Sequence, residues 1–364
     1  MRRTAMILAI AMMVSGGLAR AADPWGLERG TPDLKSADRL AFGPEDILFV
    51  GDTKSAAVFA VATGNTQGDA SAASINIENL PKKVADVLGA GSATVNDIAV
   101  NPATGNVFAA VTADDQPAII QIDGAGKITK LSLEEVRFAK AGLSDAPEDK
   151  EVGEGRRRRN NRGDAITDLA WFEGKVLISG LSTREAPSTV RELNFPFADS
   201  DHGTSVEIFH AAHGRDEDYA AVRTFVPMMI DGEPSLLAAY VCTPLVKIPL
   251  SELEKSSDKV KGTTVAELGN RNQPLDMITY EKNGREFLLL SNSARGVMKI
   301  TTAGLSKNPG LTEPVSGGGT AGQTYDTVEA MQGVVQMDKL NSDHAVILVQ
   351  NDAGAQSLKT VALP

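Results

Sequence analysis

The sequence contains a single cysteine, Cys242, and therefore cannot form an internal disulfide bond. It has no second long apolar run after its first twenty residues, so we expect no membrane anchor. The Cys-x-x-Cys-His sequence that attaches haem is missing, as are the Gly-x-Ser-x-Gly, P-loop and His-Glu-x-x-His motifs. These absences predict a fold held by packing and strand pairing, and they give little support to nucleophilic hydrolysis.

The N-terminal residues have the pattern of a secretory signal peptide. Arg2 and Arg3 precede an apolar stretch at residues 5–14, which is too short to span a bilayer. Residues 19–21 then supply the small-x-small cleavage pattern. We therefore predict a signal peptide at residues 1–21, a single domain at residues 22–364, and a periplasmic or secreted location.

The chain is acidic, with a formal net charge of −11 that becomes more negative once the arginines of the signal peptide are removed. Nucleic acids and anionic membranes attract basic surfaces, so neither is an expected partner. The charge suits a soluble protein in an extracytoplasmic compartment.

Short apolar strands recur along the sequence in groups of three or four. The clearest group is at residues 95–102, 106–112 and 117–123, and related groups begin near residues 40, 166, 223, 275 and 334. Spaced repeats of this kind indicate an all-β fold, a β-propeller. We count six blades, and a seventh can be hidden at residues 124–160 or 302–330.

The repeats resemble those of the YVTN and NHL-like β-propellers. Residues 98–108 carry the closest resemblance, followed by residues 119–123. The resemblance implies propeller architecture and no particular activity, because propellers host binding, lactonase, lyase, glycosidase and redox functions. Only Trp25 and Trp171 are present, so the tryptophan-rich blades of quinoprotein alcohol dehydrogenases are absent.

Ring closure and one insertion can also be predicted. The last repeat ends after its third strand, and the segment around residues 26–36 is expected to supply the fourth as an N-terminal closing strand. Residues 75–77 are assigned to the first blade.

The insertion at about residues 134–164 is predicted to begin with a short helix at 133–140 and to continue as a charged, solvated loop. A docking strip for an acidic partner is the alternative.

Aligning the innermost strands places polar residues at the mouth of the central channel. These are Arg39, Asp97, Asp168, Arg223 and Asp276, and the sixth blade offers Gln332 or Gly333. In one interpretation the aspartates accept hydrogen bonds from turn amides and connect neighbouring blades. In the other they bind a polar ligand or Ca²⁺. The interleaved arginines favour an anionic or zwitterionic ligand.

Three of the four histidines lie together in the sequence, His202, His210 and His213. With Cys242, expected on the same face, His210 and His213 can hold Cu or Zn. A strand does not put residues i and i+3 on one side, so the pair converges only if the chain turns there. Ordinary surface histidines, or acid–base catalysis by His213, are the alternatives.

The function predicted from these features is non-catalytic binding of a small polar ligand or a protein partner at the channel mouth. One alternative is a metal-dependent enzyme of lactonase or lyase type, with Ca²⁺ on the aspartates and His213 as acid or base. Another is a copper or redox-associated periplasmic protein that uses His210, His213 and Cys242.

Overall fold

Short apolar runs separated by turns form strands that pair mainly with their neighbours in the sequence. The computed structural model describes residues 23–155, 158–198, 203–255 and 258–364, so the predicted signal peptide lies outside the described residues. Six sheets of four or more strands surround a central channel. The chain is a six-bladed β-propeller, as its repeats predict.

The first half of the described chain contains strands β1 (Glu28–Gly30), β2 (Arg39–Phe42), β3 (Ile47–Asp52), β4 (Ala57–Ala62), β5 (Asn76–Ile77), β6 (Ala93–Val100), β7 (Val107–Ala113), β8 (Gln116–Ile122), β9 (Ile128–Lys130), β10 (Val136–Gly142), β11 (Glu151–Val152), β12 (Arg159–Asn160), β13 (Asp168–Phe172) and β14 (Lys175–Leu181). The second half contains β15 (Ser188–Asn194), β16 (Thr204–His210), β17 (Arg215–Glu217), β18 (Thr224–Ile230), β19 (Glu233–Ala239), β20 (Pro244–Pro249), β21 (Lys259–Lys261), β22 (Thr263–Glu267), β23 (Pro274–Lys282), β24 (Arg285–Asn292), β25 (Gly296–Thr301), β26 (Ala321–Gly322), β27 (Tyr325–Thr327), β28 (Val334–Lys339), β29 (His344–Gln350) and β30 (Gln356–Ala362).

Two α-helices are described, α1 (Leu80–Leu88) and α2 (Leu250–Lys255). Single 3₁₀ turns occur at Asn161–Asp164, Leu305–Lys307 and Glu329–Met331. Neither helix in the described ranges has the length and apolar character needed to cross a bilayer.

The blades are numbered here by the order of their innermost strands in the chain. From the channel outward, blade 1 contains β2, β3, β4, β10 and β1; blade 2 contains β6 to β9; blade 3 contains β13 to β17, with β21 beside β16; blade 4 contains β18, β19, β20, β22 and β26; blade 5 contains β23, β24, β25 and β27; and blade 6 contains β28, β29, β30 and β5. Within each blade the strands pair antiparallel, apart from the parallel contact of β21 with β16.

The order of the blades around the ring differs from their order in the chain. Strand β2 contacts both β6 and β13, and β6 contacts β28. Blade 2 therefore lies between blades 1 and 6, and the ring runs 2-1-3-4-5-6. The prediction that residues 26–36 complete the last blade is wrong. Strand β1 extends blade 1, and the outer strand of blade 6 is β5, which pairs with β30.

The segment at residues 63–75 connects blade 1 to blade 6 and runs along blade 2. Asn65 lies in this segment, and its Oδ1 accepts hydrogen bonds from Asn101 Nδ2 at 2.9 Å and Thr104 Oγ1 at 2.6 Å. The amide of Ser74 donates to the carbonyl of Gly124 at 3.0 Å. Outer strands exchanged between blades leave fewer open sheet edges, and we infer that this exchange closes the ring.

Residues 136–142 form strand β10 and not the predicted helix. Val136, Phe138 and Ala139 face partly buried positions beside charged Arg137 and Lys140, and this near-alternation is typical of a strand. Strand β10 pairs with β4 along five residues. The tertiary partner decided the structure here, because the same residues also fit an amphipathic helix.

The hydrophobic core is divided into layers between adjacent blades. Strands β3, β4 and β7 are almost wholly buried, as expected for middle strands that neighbouring blades cover on both faces. Aromatic residues concentrate between blades 1 and 3. Trp25 stacks on Phe195 with centroids 5.7 Å apart, and Phe49 stacks on Trp171 at 5.7 Å. This layer joins blades 1 and 3, which are adjacent in the ring although blade 2 lies between them in the sequence.

Candidate functional site

Three of the predicted site residues line one cavity in the central channel. Asp97, Asp168 and Asp276 border a space of about 330 Å³ to which all six innermost strands contribute. Asp97 is buried, and the other two are partly exposed toward the cavity. The three carboxylates therefore share one cavity, as the alignment of the innermost strands predicts.

Each carboxylate accepts one amide hydrogen from its own strand and another from the neighbouring blade. The pairs of donors are Ile98 and Leu40 for Asp97, Leu169 and Phe225 for Asp168, and Met277 and Met337 for Asp276, at 2.6–2.9 Å. The aspartates therefore connect blades 2 with 1, 3 with 4, and 5 with 6. This is the bridging role that we considered alongside ligand binding.

Sequence alignment of the innermost strands missed two residues of blade 6. Gln336, not Gln332 or Gly333, occupies the register of Asp276, because the amide of the next residue, Met337, donates the same kind of inter-blade hydrogen bond that the amides of Leu40 and Phe225 donate. With its side-chain nitrogen turned toward the carboxylates, Gln336 donates to Asp97 Oδ1 at 2.6 Å and Asp276 Oδ2 at 3.2 Å. The strand irregularity between Val334 and Gln336 matches those that precede Asp97 and Asp276, and the Gln336-Met337 pair, which parallels Asp276-Met277, was the available signal.

Asp338 is a fourth carboxylate beside the cavity. Its oxygens accept the amides of Val100 at 2.6 Å and Lys339 at 2.7 Å, so it connects blade 6 with blade 2. It lies two residues beyond Gln336, outside the aligned position, and for that reason the alignment did not identify it. A hydrogen bond to a carboxylate therefore also joins blade 6 to blade 2, the contact that closes the ring.

Burial makes these carboxyl groups weaker acids than usual. It raises the pKa of Asp97 to about 7, with the Arg39 guanidinium opposing the shift and the charge of Asp168 adding to it. Burial also raises the pKa of Asp168, and it raises that of Asp276 well above its usual value, aided by Asp97 and Asp168. Asp338 reaches about 6, again through burial. The cavity therefore disfavours four simultaneous negative charges.

The two predicted arginines line a separate cavity. Arg39 and Arg223 border a space of about 220 Å³ that also includes Gln336. Arg39 Nε donates to the Thr167 carbonyl at 2.5 Å, and Nη1 donates to the Asp38 carbonyl at 2.8 Å. Arg223 Nη1 bonds Asp164 at 2.8 Å. Thr224, and not Arg223, has the register of the aspartates. Both guanidinium groups are thus engaged with protein acceptors.

The charged insertion at residues 134–164 lies beside Arg39. Residues Asp149, Asn160 and Arg162 border a cavity of about 430 Å³ together with Arg39 and Asn96. Strands β11 and β12 form a small hairpin in which Arg158 pairs with Glu151. Within the insertion Lys150 also pairs with Glu148, and Asp164 pairs with Arg223 at the channel.

The aspartates do not form a compact metal site. Among the described residues, one group of three or more His, Cys, Asp or Glu side chains brings its ligand atoms within 4.8 Å of one another, and it consists of His210, His213 and Glu217. The expected Ca²⁺ arrangement of Asp97, Asp168 and Asp276 does not meet this condition. A larger ligand suits their spacing better than a bare ion.

The histidine pair converges because the chain turns between β16 and β17. The amides of His213 and Gly214 donate to the His210 carbonyl at 3.0 and 2.8 Å. The two rings lie 3.9 Å apart, and their Nδ1 atoms each bond a different oxygen of Glu217 at 2.8 Å. The turn places residues i and i+3 on the same side of the chain, which an extended strand does not do.

Glu217 replaces Cys242 as the third residue of the histidine group. Cys242 lies in the turn between β19 and β20, where its amide donates to the Asn272 carbonyl at 2.9 Å, and its thiol does not belong to the group. The predicted ligand set is therefore corrected at one position. Sequence spacing missed Glu217 because its approach to the histidines depends on the pairing of β16 with β17.

Neither a family model nor a curated protein matches this sequence. Solved structures to which this chain is similar include the mitotic checkpoint complex, at 8% identity and a TM-score of 0.38, covering 98% of this chain and 99% of that one. The C-terminal WD40 domain of Sif2 has 9% identity and a TM-score of 0.36, covering 93% and 98%. The PQQ-bound aldose sugar dehydrogenase from Streptomyces coelicolor has 11% identity and a TM-score of 0.31, covering 92% and 97%. At these values none of the three indicates a function for this chain.

Proposed function

We propose that this chain is a secreted or periplasmic binding protein that holds a small polar ligand in its channel without transforming it. The observation that carries the proposal is the convergence of Asp97, Asp168 and Asp276 on one cavity. The location rests on the signal-peptide pattern of residues 1–21 and on the acidic composition.

The charges around the cavity favour a cationic ligand or one rich in hydrogen-bond donors. The carboxylates border the cavity, whereas Arg39 and Arg223 donate to other protein groups. This reverses the preference for an anion that the arginines suggest from sequence. A volume of about 330 Å³ lies at the lower end of the range for ligand pockets, which suits a small molecule better than a protein segment.

Binding of a cation should release protons. Asp97 has a pKa of about 7 and faces Asp168, Asp276 and Arg39, so it is partly protonated near neutral pH. A positive ligand stabilises the ionised carboxylates and displaces these protons. Affinity should therefore be higher at pH 8 than at pH 6.

Calorimetry with simple probes tests the proposal. We expect putrescine, a small diamine, to bind more tightly than glucose or citrate and to release protons near pH 7. Lys339 borders the same cavity, so Lys339→Met should tighten putrescine binding by up to about fivefold, the scale of an exposed charge interaction. Lys359→Met, on the outer part of blade 6, is the matched control and should leave affinity unchanged.

Two results would contradict the proposal. Preferential binding of citrate would show that the arginines dominate the site. Equal binding of putrescine by the wild-type protein and Lys339→Met, at both pH values, would place the diamine outside the carboxylate cavity.

A further inference from the structure

His210, His213 and Glu217 form a cluster at the outer part of blade 3, on strands that do not line the channel. His210 and Glu217 are buried, whereas the His213 side chain is 44% exposed. His210 and Glu217 therefore anchor the cluster in the interior, and His213 makes it accessible to solvent. It is independent of the channel and of the function proposed above.

Glu217 fixes the orientation of both imidazoles. Its oxygens accept hydrogen bonds from both Nδ1 atoms at 2.8 Å and from Arg215 Nε at 2.9 Å, and the guanidinium favours the ionised form of the carboxylate. An ionised carboxylate only accepts hydrogen bonds, so each Nδ1 carries the hydrogen in the metal-free protein. The Glu217 carboxylate therefore positions the Nδ1 atoms of both histidines, each next to one of its own oxygens.

The second ring nitrogen of His210 is buried and has no hydrogen-bond partner. The bond to Glu217 is therefore the one hydrogen bond that holds the proton of this imidazole on Nδ1. The proton can move to Nε2 and leave the Nδ1 lone pair free, and the only hydrogen bond lost is the one to Glu217. A buried imidazole with such freedom is suited to coordinate a metal at Nδ1.

The distances are close to those of a metal site. Bonds of 2.0–2.1 Å in a tetrahedral site give ligand separations of about 3.3 Å. Each Nδ1 lies 2.8 Å from one Glu217 oxygen, and one ligand atom from each of the three residues lies within 4.8 Å of the other two, so small side-chain movements would bring them to the tetrahedral separation. His213 is exposed enough to make that movement.

We propose that His210 Nδ1, His213 Nδ1 and a Glu217 oxygen bind one Zn²⁺ or Cu²⁺ ion, with water completing the coordination. Two imidazoles and a carboxylate suit these borderline metals better than Ca²⁺, which prefers a larger set of oxygen ligands. Cys242 takes no part in this site.

Arg215 provides a sharp test because it competes with the metal for Glu217. Its Nε donates to Glu217 Oε1 at 2.9 Å, while its side chain is 63% exposed. Arg215→Gln should remove a positive charge from the carboxylate without opening the core. Metal affinity should then increase, whereas a purely structural cluster would show no such gain.

The experiment is equilibrium dialysis of the chelator-treated mature protein against ZnCl₂ or CuSO₄ alone. We expect one ion per chain, at least a tenfold loss of affinity in His213→Ala and Glu217→Gln, and a gain in Arg215→Gln. His344→Ala removes an exposed histidine on blade 6 and should bind like the wild type, as should Cys242→Ser. Electron paramagnetic resonance of the Cu²⁺ form should show two nitrogen ligands.

The proposal is overturned if the protein binds no stoichiometric metal, or if His213→Ala retains wild-type affinity. Loss of binding in Cys242→Ser with retention in Glu217→Gln would likewise overturn it in favour of a thiolate site. Circular dichroism of each variant establishes that it is folded, and the gain expected in Arg215→Gln cannot arise from misfolding.

Discussion

Asp97 in the channel and Glu217 at the outer part of blade 3 are both buried carboxylates, yet their acidities change in opposite directions. The pKa of Asp97 rises to about 7, and that of Glu217 falls to about 2. Asp97 accepts backbone amides and lies near other carboxylates, whereas Glu217 accepts hydrogen bonds from two histidines and an arginine. The identity of the partners, more than burial alone, decides whether an interior carboxylate keeps its charge.

The largest expected effect is on stability when Asp97 is replaced. Both of its oxygens accept amide hydrogens, so Asp97→Asn places an NH₂ group against one of them. Leaving one buried amide without an acceptor should cost about 1–3 kcal/mol of unfolding free energy. Urea unfolding at pH 5, where Asp97 is protonated in the folded state and its charge does not contribute, measures this cost, and the exposed Asp115→Asn serves as control. An unchanged midpoint would show that Asp97 does not join blades 1 and 2.

Glu217→Gln should have a somewhat smaller effect, because His213 and Arg215 are exposed and can bond water instead. We expect a loss of about 1–2 kcal/mol, mainly from the charge-assisted bond to buried His210. The same urea titration applies, with exposed Glu134→Gln beside it. A loss larger than that of Asp97→Asn would reverse the comparison between the two sites.

The two regions should give opposite slopes of stability against pH. The folded-state pKa of Asp97 lies above its unfolded value, so the native state binds more protons between about pH 4 and 7. Stability from this region should therefore increase as the pH falls from 8 toward 5. The folded-state pKa of Glu217 lies below its unfolded value, so its contribution is full above about 4.5 and is lost as the pH falls toward 2.

Thermal unfolding across pH 3–8 measures both slopes. The lowered pKa of buried His210 acts in the same direction as Glu217, since the folded state resists protonation of that ring. Asp97→Asn should flatten the neutral part of the profile, and Glu217→Gln should flatten the acidic part. If either variant flattens the other part instead, the assignment of the slopes is wrong.

Replacement of Cys242 should have the smallest effect. Its side chain is partly exposed in a turn and lies outside the histidine group. Cys242→Ser should change the unfolding free energy by less than about 0.5 kcal/mol. A larger loss, measured by urea unfolding under reducing conditions, would assign the thiol a structural role that its surroundings do not indicate.

The sequence identified three of the four channel carboxylates because each aspartate stands at the same point of a recurrent strand pattern. It failed for Asp338, which lies in β28 two residues beyond the aligned position. It identified His210 and His213 by their proximity in the chain. It could not select Glu217 over Cys242, since the choice depends on which strands pair beside the turn.

The six repeats, the apolar middle strands and the positions of most inner-strand polar residues follow from local periodicity and turn chemistry, so they can be predicted from the sequence. The order of the blades, the exchange of β5 and β10, the strand at residues 136–142 and the grouping of His210 with Glu217 arise only in the folded chain. Those features depend on contacts between residues far apart in the chain. A local sequence pattern does not contain the free energy of such contacts.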